Sequence, residues 1–320
     1  MLALKRVPVF ILYLVFMLPI ALAYIVIFIL SMNTALDRVN YLRIMDTDIE
    51  TRVEPLLPII AYLLDYIITN SVFKLISIQL FFTYLLLLSL YIYFRPKELV
   101  SLSKCFIALL LCLAIFSNPL GIQLRMGYAT IIFIYLIVRF RKPTLFLLIP
   151  IAMHYGAIAP VLIFLYIHVF KINSILSFIK HSILIIIFCT VLFTNIELVF
   201  DYLGVKNYYY NYLSEELVFG RAFPYSVIIY ILVCFYIIFF INKKDSNFYW
   251  FSLSGLWLLY IGFVLDFYLA FKMLVPISIF ALFYVINNFP KIKQPYTYLF
   301  LAYLLMPIVL YYFALKVDYI

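Results

Sequence analysis

Long apolar runs dominate this chain, and their length decides which solvent it needs. They fall at 8–30, 72–94, 105–117, 127–138, 145–170, 182–200, 222–241, 249–265, 270–286 and 296–315, with short polar breaks between most of them. A helix needs roughly 17–25 residues to cross about 30 Å of hydrocarbon. Most of the runs reach that length, and the two short ones become adequate when extended to 102–117 and 120–138. Of the 320 residues, 68% are hydrophobic and 12% charged, against roughly half and a quarter in a soluble chain. Too little polar surface remains to face water all round. A cytosolic enzyme and an extracellular disulfide scaffold are both excluded. The first run exceeds the roughly 7–15-residue core of a cleavable signal, and no small-x-small site follows Leu30, so it reads as a retained span.

Charge orders the spans. Short cytoplasmic loops collect Lys and Arg, and basic clusters recur at 5–6, 95–104, 139–142, 171–180, 243–244 and 291–293. All six lie inside if the N-terminus is cytoplasmic, 56–70 does not cross, and 145–170 breaks into two limbs. The run 145–170 carries Pro150, His154, Gly156 and Pro160 near its middle, so half-helices meeting at His154 fit it, as does one long tilted helix. The segment 56–70, with Pro58 and Asp65, is predicted to be interfacial or re-entrant. Segments assigned inside carry 14 of the 23 basic residues but only 2 of the 14 acidic ones, Glu98 and Asp245. The formal +9 is therefore mainly a topology signal, and no nucleic-acid partner is expected. The expected fold is an all-α polytopic membrane protein of about 10–12 transmembrane helices, some short or broken, with a cytoplasmic N-terminus. It reads as a single integral membrane domain over 1–320, with extracytoplasmic loops at 31–55 and 201–221.

Ionisable groups in or beside hydrocarbon are costly without partners, which makes them functional candidates. Arg125 sits just above a predicted outer helix start, either as a headgroup anchor or as a fork onto an anionic phosphate. His154 is either a satisfied core histidine or a proton acceptor or donor at the outer end of the broken span. Glu54 precedes Pro55 at the entrance to an apolar segment. Arg221 and Asp266 mark two further predicted outer boundaries, and Lys272 follows six residues later. The tyrosines of 202–212 read as an interfacial girdle or as stacking platforms for sugar rings. Metal chemistry has no CxxC or HExxH to rest on. The four cysteines, Cys105, Cys112, Cys189 and Cys234, all lie in apolar runs and read as small buried hydrophobes. No Walker or dinucleotide glycine motif occurs, so neither ATP nor NAD is expected, and no cofactor at all.

The order of these features resembles the Wzy-type polysaccharide (O-antigen) polymerases, in particular their EpsG-like branch. Asp37 with Tyr41 matches the family's early outer-loop element, and Glu54–Pro55 its following step. The segment "LRMGYA" matches a motif near R-Q-G-x-A, giving Arg125, Gly127 and Ala129, with Met126 in place of the usual Gln. The segment "MHYGAI" matches a later FH-x-S-A element through His154, with Gly156 where Ser is common. The likeness covers about 31–170 by order and spacing. A later Arg-x-x-x-Tyr feature is not found cleanly, and "DFYLAFK" at 266–272 stands in its region.

This resemblance implies a metal-independent inverting glycosyltransferase of the bacterial cytoplasmic (inner) membrane. Its donor and acceptor would be polyprenyl-pyrophosphate-linked glycans among membrane lipids, and a flippase and a chain-length regulator would be its partners in O-antigen or capsule biosynthesis. His154 or Glu54 would serve as base, with Arg125 in the catalytic set. Arg221 and Lys272 would bind substrate charge, and Asp37, Tyr41 and Asp266 would complete the substrate site. The rivals are a flippase or transporter of lipid-linked glycans, a membrane acyltransferase, and a ligase-like transferase with the same donor.

Overall fold

A computed structural model describes residues 11, 13, 15, 17–19, 21–22, 25, 41–42, 44–45, 55–96, 99–115, 124–195, 225–241, 247–265 and 269–288. Asp37, Glu54, Arg221 and Asp266, the loop 201–221 and the run 296–315 lie outside them. The described residues form helices and turns, with no strand among them. Ser71–Phe94, Ile175–Leu192, Asn247–Val264 and Ala270–Asn288 are each long and apolar enough to cross a bilayer, and shorter apolar helices accompany them. The chain is an all-α polytopic membrane protein. It divides into two compact units, one of residues 1–161 with 286–320 and one of 162–285.

In the first unit, α1 (Leu56–Asp65) has ten residues, so it rises only about 15 Å and falls short of a crossing. Asn70 then starts α2 (Ser71–Phe94) by accepting the N–H groups of Val72 and Phe73 at 3.0 and 3.1 Å. That side-chain cap satisfies two of the donors orphaned at a helix start. The burial pattern of α2 is inverted relative to a soluble helix. Val72, Phe73, Leu80, Phe81 and Tyr84 are exposed, whereas Lys74, Gln79, Thr83 and Ser89 are buried. Lipid receives the apolar face, and polar groups find partners inside. Tyr41, Ile44 and Met45 are helical and buried. Their i, i+3, i+4 spacing gives part of the expected 31–55 loop one apolar helical face.

The helices α3 (Leu99–Ile115) and α4 (Leu124–Phe140) complete the core of this unit. The Tyr128 hydroxyl donates to Gln79 Oε1 at 2.8 Å, and its ring stacks on Phe82 at 4.1 Å and 11°. Thr83 and Leu86 share a small cavity with Ile131. Positions along α2 and α4 thus advance together, so these two helices run parallel. The helix α3 runs back between their directions: the Cys105 thiol faces the Leu90 carbonyl at 3.9 Å, and Leu109 and Leu113 line the same cavity. One end of the unit therefore carries the C-termini of α2 and α4 with Arg95, Arg139, Arg141 and Lys142. The opposite end carries their N-termini. Near the basic end, Lys104 Nζ donates to the carbonyl of Asn287 at 2.9 Å.

The apolar run 145–170 is divided. A 3-10 turn at Leu145–Leu147 leads into α5 (Leu148–Met153), and a second 3-10 turn at Tyr155–Ala157 leads into α6 (Ile158–Val169). His154 between them is extended, with φ −159° and ψ 127°. Of the two forms the sequence leaves open, one tilted helix or a break at His154, the structure takes the break.

The second unit contains α7 (Ile175–Thr194), α8 (Tyr225–Phe240), α9 (Asn247–Leu253), α10 (Gly255–Val264) and most of α11 (Leu269–Asn288). Its centre is aromatic. Phe178 stacks between Trp250 and Trp257, each 5.4 Å away. Trp257 Nε1 donates to Ser182 Oγ at 2.8 Å, and the Tyr166 hydroxyl bonds His181 Nδ1 at 2.7 Å. Tyr230, fully buried, donates to the Ser252 carbonyl at 2.7 Å. A Cβ on Gly255 would sit 2.5 Å from that same Tyr230 hydroxyl, so the close approach requires glycine.

Candidate functional site

Arg125 and Tyr41, 84 positions apart in sequence, meet at the N-terminal end of α4. The Arg125 guanidinium carbon lies 6.0 Å from the Tyr41 ring centroid, the outer reach of a cation–π contact. The Arg125 backbone N–H points to the Tyr41 hydroxyl at 3.4 Å, a long and weak bond. Tyr41 is buried and Arg125 half-buried. A cation in the first turn of a helix works against the macrodipole. An anion beside Arg125 would complement both the dipole and the guanidinium.

His154 reaches the same end of α4 by way of the kink. Met126, next to Arg125 and 2% exposed, places its sulfur 3.1 Å from where a Cβ on Gly156 would stand. The two short motifs that carry the polymerase resemblance are therefore packed on each other. The Gly156 N–H donates to His154 Nδ1 at 2.8 Å, so the histidine caps the turn that follows it. Nδ1 can accept only when it carries no proton, which puts the neutral ring's proton on Nε2. In this arrangement His154 is a hydrogen-bond donor through Nε2. To take a proton at Nδ1 it would have to give up its cap. Gly156 has no room for a side chain: its Cβ would fall 2.8 Å from Nδ1 and 2.9 Å from Cε1 of the same ring.

Lys272 belongs to the second unit, half-buried on α11. Pro276 lies four residues on within that helix. Glu54, Asp37, Arg221 and Asp266 are outside the described residues, as are the tyrosines of 202–212. Among the described residues no three His, Cys, Asp or Glu gather as a metal site.

The sequence reading passed over a second polar cluster in this unit. Lys74, 2% exposed, pairs with Asp65 at the end of α1 and donates to the Met45 carbonyl at 2.9 Å. Gln79, Thr83 and Tyr128 form a buried hydroxyl–amide group one turn further along α2. Polar residues at 74, 79 and 83 inside an otherwise apolar 24-residue helix were the available signal. All four cysteines are buried thiols with no disulfide, as their apolar setting suggests. Compared with protein families, with curated proteins and with solved structures, the chain matches none of them.

Proposed function

We propose that this chain polymerises polyprenyl-pyrophosphate-linked oligosaccharide repeat units by glycosyl transfer at the outer leaflet of a bacterial cytoplasmic membrane. The observation that carries the reading is the packing of Arg125 with Tyr41, and of Met126 on the His154–Gly156 kink, at the end of α4 away from the basic residues. By the charge rule that end faces outward. A hydrophobic carrier calls for a site between helices, and a pyrophosphate leaving group calls for fixed cations.

In the proposed reaction an acceptor hydroxyl attacks the donor's anomeric carbon, and the bond from that carbon to pyrophosphate oxygen breaks. Negative charge grows on the departing pyrophosphate, where Arg125 can meet it with two parallel N–H donors. Arg221 and Lys272 are the further cations in this scheme. The Nε2–H of His154 donates to a substrate oxygen, and Glu54 takes the acceptor proton. Asp37, Tyr41 and Asp266 orient the sugars.

The test is reconstitution with purified lipid-linked repeat units, read as a glycan ladder on a gel. Chain extension without ATP or added metal supports the proposal. Movement of the unit between leaflets with no extension would make the protein a flippase instead. Arg125→Lys keeps the charge but loses the planar fork, and is expected to lower extension roughly 100-fold. Wild-type extension by that variant would remove Arg125 from the scheme.

A further inference from the structure

The turn between α4 and α5 combines three features that its local fold does not require. Arg139, Arg141 and Lys142 are all exposed on it, and among the described residues none of them has a carboxylate partner. Exposed apolar groups alternate with these cations. Phe140 and Phe146 stack on each other at 5.8 Å and 24°, and Leu145 and Leu148 are 87% and 63% exposed. Arg141 also has φ 57°, in the left-handed region. Its N–H closes the helix onto the Ile137 carbonyl at 2.9 Å, a C-terminal position usually filled by glycine. Glycine would make the same backbone bond without the Cβ penalty. What Arg141 adds there is its guanidinium.

The end of α2 repeats the arrangement at the same end of the unit. Arg95 has φ 45° and its N–H returns to the Tyr91 carbonyl at 2.9 Å. In the second unit, Lys171 after α6 has φ 46°. Three helices thus end in a left-handed cation instead of glycine. A soluble phosphate or a glycan would match the cations but make no use of the phenyl rings and leucines. An acyl chain attached to an anionic headgroup satisfies both sets.

We infer that the 139–148 turn is a binding site for an anionic phospholipid of the membrane surface. Arg139, Arg141 and Lys142 hold the headgroup phosphate, and Phe140, Phe146 and Leu145 lie along the acyl chain. The proposal does not depend on the polymerase reading.

The purified full chain is placed in mixed micelles of phosphatidylglycerol and phosphatidylcholine, and the retained lipids are measured by native mass spectrometry. Wild type is expected to enrich phosphatidylglycerol. Arg141→Gly should lower that preference about fivefold, and the triple variant Arg139→Gln, Arg141→Gly, Lys142→Gln on the order of 100-fold. Because glycine suits the backbone at 141, that single variant should melt in pure phosphatidylcholine at or above the wild-type temperature, which separates lost lipid binding from misfolding. The proposal is overturned by equal preference in wild type and the triple variant, by no preference in wild type, or by glycerol phosphate competing as well as the lipid does.

Discussion

Gly156→Ala probes the kink through one added carbon. The new Cβ would lie 2.8 Å from His154 Nδ1, 2.9 Å from Cε1 and 3.1 Å from the Met126 sulfur. The backbone at 156 is outside the left-handed region, so alanine is tolerable there in angle and intolerable in space. Methionine is flexible and yields readily. The imidazole cannot yield without losing its bond to the Gly156 N–H. Losing that bond destabilises by about 1 kcal/mol, and displacing the packed ring adds roughly 1–3 kcal/mol. The reduced freedom of the unfolded chain returns about 0.4–1 kcal/mol. The net expectation is a loss of roughly 1–3 kcal/mol, measured by denaturant unfolding in bicelles. The decisive arm is a double-mutant cycle with His154→Ala. With the ring removed, alanine at 156 meets only the yielding Met126 sulfur, so its penalty should vanish or change sign. The same penalty in both backgrounds would refute the argument that the imidazole, and not the backbone, demands glycine.

Two further substitutions test the buried polar groups of α2 and α4. Tyr128→Phe keeps the stack on Phe82 but strands Gln79 Oε1 in the interior, and should lower stability by about 1–2 kcal/mol in thermal unfolding. Lys74→Met leaves the Met45 carbonyl without its donor, for a loss of about 1–3 kcal/mol. Asp65 is half-exposed, so its pairing adds little to that figure, and combining Lys74→Met with Asp65→Asn should cost no more than the single change. An Asp65→Asn single variant as damaging as Lys74→Met would mean that the ion pair, not the carbonyl contact, matters at Lys74.

The sequence exposes helix positions well because hydrocarbon thickness imposes a length on them. The run 72–94 became Ser71–Phe94, and 270–286 became Leu269–Asn288. The break at His154 was visible for a different reason: two prolines and a glycine within eleven residues cannot be accommodated in one regular helix without loss of bonds. Partner geometry was less legible. Arg125 and His154 stood out as polar groups in apolar surroundings and Tyr41 only through the resemblance, but their meeting depends on which face of α4 the kink packs against. The tautomer of His154 depends on a single N–H two residues away, which no composition or spacing encodes. Lys74 escaped notice because a cation in the first turn of a span resembles an ordinary interfacial anchor. Only its burial beside Asp65 and the Met45 carbonyl sets it apart.

The helix α7 is held by the bilayer more than by the protein. Within its membrane-length window, Ile175–Leu192, 11% of residues are buried, against 83% for Ala270–Asn288. Its polar ties to α10 are the Trp257–Ser182 bond and the Thr190–Tyr260 bond, each 2.8 Å. Its 20 residues rise about 30 Å, the thickness of an average hydrocarbon core. A thicker or thinner membrane must therefore be met by tilt, which among the described residues strains those two bonds, the Tyr166–His181 bond and the Phe178 stack. It would act as the compliant wall of its unit, absorbing mismatch with the surrounding lipid before the enclosed α11 feels it.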